Sequence, residues 1–134
     1  MDITKLKMTV MPDEYAIHRF TPDARIPWDI LQQEKLYHIS KTPDELSIVC
    51  RSSIQLPSDK VSKLYTSIKV LGPLDFDMVG VISRIANILK YRNIPIFVIS
   101  TFDTDYILIN KDNVKLGIKA LSDDEYISIA NAPN

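Results

Sequence analysis

A chain of 134 residues, 46% apolar and 25% charged, has the make-up of an ordinary soluble globular protein, one domain or two small ones sharing a core. Its formal net charge of −1 excludes a sequence-independent nucleic-acid binder, which needs a basic footprint. The lone cysteine, Cys50, rules out a disulfide within the chain, no apolar run reaches the roughly 18 residues of a membrane span, and Asp2, Lys5 and Lys7 leave no room for a signal peptide's apolar core, so the expectation is a cytoplasmic protein.

Leu6, Met8 and Val10 alternate, Pro12-Asp13 reads as a turn, and Tyr15, Ile17 and Phe20 continue, so residues 6–20 are expected to form a hairpin. Thr21-Pro22-Asp23 is a loop, and Pro27–Gln33 makes at most two helical turns, with proline tolerated in the first. Trp28 in this segment reads as a plug over the sheet, where the helix is too short to cover it, or as a surface anchor for a partner. A strand begins at Tyr37 and Ile39, Lys41–Glu45 turns, and Leu46–Cys50 forms the next strand. Ser58 suits the cap of a short helix through Val61 and Leu64, ahead of a strand containing Ile68 and Val70.

The second half is more regular. Met78, Val81, Ile82, Ile85, Ile88 and Leu89 recur at helical spacing over residues 78–92, with Asp77 as N-cap, Asn93 in the left-handed position past the end, and Pro95 preventing continuation. The β-branched run Ile96–Ile99 is too short for a helix and reads as a buried strand. Ser100–Asp105 turns, Tyr106–Ile109 is a strand, Val114, Ile118 and Leu121 mark a helix face, and Tyr126–Ala130 is a last strand. The order β-α-β-β-α-β is the ferredoxin-like split βαβ arrangement, an α+β fold with four strands and two helices on one face. The first half repeats it in reduced form: Tyr37, Ile39, Ser40 and Glu45 align with Phe97, Ile99, Ser100 and Asp105. The expected domains are 1–64, abbreviated, and 65–134, complete.

The chemistry gathers in two segments. The loop Gly72–Asp77 runs into a helix N-terminus, where unpaired N–H groups and the positive dipole end favour a carboxylate. Gly80 either admits a ligand close to the backbone or serves close packing of helix on sheet. Asp103 and Asp105, with Thr104 between them, are either receivers for an ammonium or guanidinium group or residues of a solvated turn. His18 and His38 stand alone, with no partners at metal-ligand spacing. Cys50 reads as a small core residue, and no phosphate-binding or dinucleotide glycine motif is present.

GPLDFDMVGVIS followed by IFVISTFDTDYILI resembles the ACT-domain family, in particular small bacterial tandem-ACT proteins related to the CASTOR-type arginine sensors of animals. PDEYAI and TPDELSIV fit the first half of the same subfamily, so the resemblance covers nearly the whole chain. It implies tandem ferredoxin-like (βαββαβ) ACT domains, the first abbreviated, that bind an amino acid or other small effector at a domain interface. Carried over by position, the ligand-binding set is Asp77, Val79, Gly80, Val81, Ile82, Thr101, Phe102, Asp103, Thr104 and Asp105. Gly80 and Val81 would offer backbone groups, Thr101 and Phe102 would line the pocket, and Asp105 would face the cation. Met78 is apolar where an acidic contact to a basic side chain would sit, which puts arginine as ligand in doubt. The arginine sensors carry four ACT units and this chain two, so a homodimer is expected. The combined expectation is a regulatory protein without catalytic machinery, cofactor or metal, which senses an amino-acid effector and alters its association with a protein partner. The rival is a ligand-free structural or interaction dimer.

Overall fold

The computed structural model describes residues 6–72 and 80–131. Its strands and helices are β1 (Leu6–Phe20), α1 (Trp28–Leu31), β2 (His38–Lys41), β3 (Leu46–Arg51), β4 (Lys60–Gly72), α2 (Val81–Lys90), β5 (Phe97–Ser100), β6 (Asp105–Asn110), α3 (Val114–Ser122) and β7 (Ile127–Asn131). They gather into two compact units: Asp13–Tyr65, and the chain up to Pro12 together with everything from Thr66 onward. Residues 6–12 thus belong with the later part of the chain.

In the unit from Thr66 onward the order β4-α2-β5-β6-α3-β7 is the expected β-α-β-β-α-β. β6 lies between β4 and β5 and pairs antiparallel with β5, Phe97 opposite Leu108 and Ser100 opposite Asp105. The last strand departs from the four-stranded expectation. β7 pairs in parallel with β1, from Leu6↔Ile127 to Val10↔Asn131, so the start of the chain supplies an additional strand. Met8, Ile68, Val70, Ile85, Leu89, Ile94, Ile107, Ile109, Leu121 and Ile127 form one core, to which both helices bring their apolar faces. α2 begins at Val81, later than the spacing from Met78 suggested, and Asp77 and Met78 lie outside the described residues. Its end is as expected: Asn93 has φ 58°, and the Ile94 N–H donates to the Leu89 carbonyl at 3.1 Å.

The unit Asp13–Tyr65 is built on β3, which pairs antiparallel with β1 (Tyr15↔Arg51 to Phe20↔Leu46) and with β2 (His38↔Val49 to Lys41↔Leu46). Phe20, Leu31, Leu46, Ile48 and Cys50 are its core, with Ile26, Ile39, Ile54 and Leu56 packed against them. Three expectations fail here. Residues 6–20 are one strand, not a hairpin, and Pro12-Asp13 makes no turn. The register with β7 ends at Val10 and that with β3 begins at Tyr15, so proline falls where neither β7 nor β3 requires an N–H. Residues 60–72 are a strand, not a helix from Ser58; Leu64 has φ 67°, and Ser58 turns its hydroxyl to His18 at 2.8 Å. Trp28 is 54% exposed and plugs nothing; Leu31, fully buried, is the residue α1 inserts.

Candidate functional site

Of the ten expected ligand-binding residues, Asp77 and Val79 lie outside the described residues; the other eight fall on two segments of the unit from Thr66 onward. Gly80 is the N-cap of α2, with φ 89°, and a Cβ at that position would meet nothing within 4 Å among the described residues. Close packing is therefore not the reason for this glycine; the left-handed backbone is. Val81 and Ile82 are half-buried against the core, which leaves their backbone as the polar contribution to the helix start.

Thr101–Asp105 forms a tight turn between β5 and β6. The Thr101 N–H and its hydroxyl both donate to the Thr104 carbonyl, at 2.8 and 3.0 Å, and the Thr104 N–H donates to Thr101 Oγ1 at 3.2 Å. The buried Thr104 hydroxyl donates to the Val70 carbonyl, which ties the turn to β4. Ser100 Oγ donates to the Asp105 carboxylate at 2.5 Å, so that carboxylate is held on the strand rather than free in solvent. Thr101 and Asp103 are exposed, and Phe102 is fully so. The structure thus brings Ser100, Thr101, Thr104 and Asp105 into one hydrogen-bonded group, while Phe102 and Asp103 stand out from it.

A second cluster went unread in the sequence. Asp13, Tyr15, Gln33, Glu34, Lys35, Leu36 and Arg51 surround a cavity of about 280 Å³, all within Asp13–Tyr65. Glu34 accepts from Arg51 Nε at 2.6 Å and Nη2 at 2.9 Å, a bidentate pair. That pairing holds the Glu34 carboxyl below its usual range. Burial, with the Glu34 charge adding to it, pushes the nearby Cys50 thiol up to about 11, which suits a core residue and not a nucleophile. The signal that could have found this cluster was the alternation of Asp13, Tyr15 and Ile17, hidden once Pro12-Asp13 was taken as a turn. Among the described residues no group of His, Cys, Asp and Glu could hold a metal ion, and no helix is long and apolar enough to cross a membrane.

An α+β unit of this order is the ferredoxin-like arrangement. Residues 60–123 match the model of the ACT domain. Residues 13–59 match the model of a second family, described as an N-terminal domain. Among solved structures, a protein from Agobacterium tumefaciens is 29% identical with a TM-score of 0.85, covering 97% of this chain and 96% of that one. A protein of unknown function from Vibrio cholerae is 18% identical with a TM-score of 0.66, covering 87% of each chain. Aspartate kinase from Clostridium acetobutylicum is 12% identical with a TM-score of 0.65, covering 90% of this chain and 34% of the kinase. At those last two identities the likeness is one of fold. No curated protein matches the chain.

Proposed function

We propose that the protein is a regulatory module that binds a small amino-acid effector at Asp77, Val79–Ile82 and Thr101–Asp105, and changes its association with a protein partner when it does so. The observation that carries this reading is the ACT-domain match over residues 60–123, which contains both segments. The chemistry supports it. The start of α2 presents unpaired N–H groups to a carboxylate, and Gly80 places no side chain in their way. Asp105, oriented by Ser100, is an anion for the effector's ammonium. The reading extends to a tandem of ACT domains (1–64 abbreviated, 65–134 complete), to kinship with the CASTOR-type arginine sensors, to a cytoplasmic protein and to a homodimer that completes the pocket. It includes no catalytic step.

Thermal unfolding in the presence of each common amino acid tests it. One of them raises the Tm through mass action on the folded state. Asp105→Asn weakens that ligand by roughly ten- to a hundredfold, the equivalent of about 1.5–3 kcal/mol for a lost charge-assisted bond, without unfolding the protein. Unchanged affinity in a folded Asp105→Asn protein moves the site elsewhere. Light scattering gives a particle of twice 15.3 kDa; a monomer at micromolar concentration removes the dimer.

The exposed Phe102 favours a second reading, in which the β5–β6 turn is a contact surface of a ligand-free dimer. In that case no amino acid shifts the Tm, and Phe102→Ser yields monomers.

A further inference from the structure

We propose that the cavity walled by Asp13, Lys35 and Arg51 is a binding site for a small zwitterion, an amino acid whose carboxylate meets Lys35 and Arg51 while its ammonium meets Asp13. The framework is set by the strands. Tyr15 and Arg51 are direct partners on β1 and β3, and the bond from the Ser52 N–H to the Glu14 carbonyl, 2.8 Å, carries the ladder one step further. Asp13 therefore stands diagonally across from Arg51, at about 7–8 Å between Cα atoms, a span that two long-reaching opposite charges can close around a small molecule.

The charges decide what that molecule is. Glu34 neutralises Arg51 and fixes the plane of its guanidinium through Nε and Nη2, which leaves Nη1 to donate elsewhere. Beyond that pair the wall carries one cation, Lys35, and one anion, Asp13, and neither enters an ion pair among the described residues. A plain anion drawn by Lys35 is opposed by Asp13, and a plain cation meets the reverse. A neutral dipolar ligand satisfies both. A volume of about 280 Å³ lies near the lower end of ligand pockets, roughly 300–1,000 Å³, and suits a molecule of amino-acid size. Leu36 supplies an apolar stretch of wall for an aliphatic side chain. With its carboxyl held low by Arg51, Glu34 keeps the guanidinium fixed into mildly acidic solution.

This site is independent of the one proposed above, since all its residues lie within Asp13–Tyr65. Backbone amide shifts of the full chain, titrated with each common amino acid and with acetate and methylamine, separate the two. The expected result is a saturable shift at Tyr15, Glu34–Leu36 and Arg51 with at least one amino acid, and binding of acetate and of methylamine at least about tenfold weaker. Asp13→Asn and Lys35→Met each weaken the amino acid about tenfold or more. Lys35 is exposed, so its variant stays folded even if Asp13→Asn does not. No saturable shift at these amides, acetate binding as tightly as the amino acid, or indifference to Lys35→Met overturns the proposal. Shifts at Gly80–Ile82 and Thr101–Asp105 report on the other site alone.

Discussion

Two glycines of this chain carry opposite constraints. Gly117, in α3, faces Ile109 Cδ1 at 3.0 Å from where a Cβ would be, so its lack of a side chain serves packing. Gly80 meets no crowding among the described residues but has a φ of 89°, so its role is conformational. Gly80→Ala should lower stability by about 1–2 kcal/mol in urea unfolding although nothing would collide with the new methyl group. His18 makes a second residue-scale prediction. It is 2% exposed, with Nδ1 on Ser58 Oγ and Nε2 without a partner among the described residues. Burial first, and then the charge of Lys63, hold its pKa below the usual value of about 6.5. Between the two values the unfolded chain binds the extra proton. His18 therefore contributes stability in full above about pH 6.5, and loses it as pH falls from there towards the folded value. Urea midpoints should drop between about pH 7 and pH 5, and the drop should shrink in His18→Gln. An unchanged slope in that variant would assign the pH dependence to other groups.

At the scale of elements, α1 shows how little helix the first unit needs. Four residues cannot hold a helix by themselves, and what holds this one is the insertion of Leu31 among Phe20, Leu46, Ile48 and Cys50. Leu31→Ala should cost about 2–5 kcal/mol, whereas Trp28→Ala, at the exposed end, should stay within about 0.5 kcal/mol. Equal losses from the two would return Trp28 to the role of plug. The elements after Ile68 were legible because each has one period and a punctuating residue: the 3.6-residue stripe of α2 ending at Asn93, the short β-branched run of β5, the stripe of α3. β1 and β4 were not. Pro12-Asp13 has the composition of a turn, and Val61 and Leu64 share helical spacing, yet both segments lie in long strands whose pairing overrides the local signal. Missing the continuity of β1 also hid the Asp13, Tyr15 and Arg51 grouping, which exists only across the β1–β3 ladder. The Thr101–Asp105 turn was placed correctly, but its internal bonds, and the tie from Thr104 to Val70, have no one-dimensional signature.

For the whole molecule, the division of β1 and β4 between the two units means that the repeat read in the sequence is not a cutting pattern. A fragment of residues 65–134 contains every β-α-β-β-α-β element but lacks Leu6–Val10, which pair with β7, and Met8, which is 1% exposed in the core. Such a fragment should show poor amide dispersion and no cooperative thermal transition, while the full chain shows both dispersion and cooperativity. A fragment that melts with the Tm of the full chain would make β1 dispensable.

The parallel ladder between β1 and β7, anchored where the Leu6 N–H donates to the Tyr126 carbonyl at 2.7 Å, also bears on how the chain is made. A strand synthesised early has its partner in a strand synthesised late, with both helices of the later unit between them. On the ribosome Leu6, Met8 and Val10 have no β7 to pair with until nearly all of that unit has emerged. They lack that partner while the rest of the unit is made, and closing so long a loop carries an entropic cost before the β1–β7 contact repays it. Completion of this unit is therefore gated by β7, the last of its strands to appear.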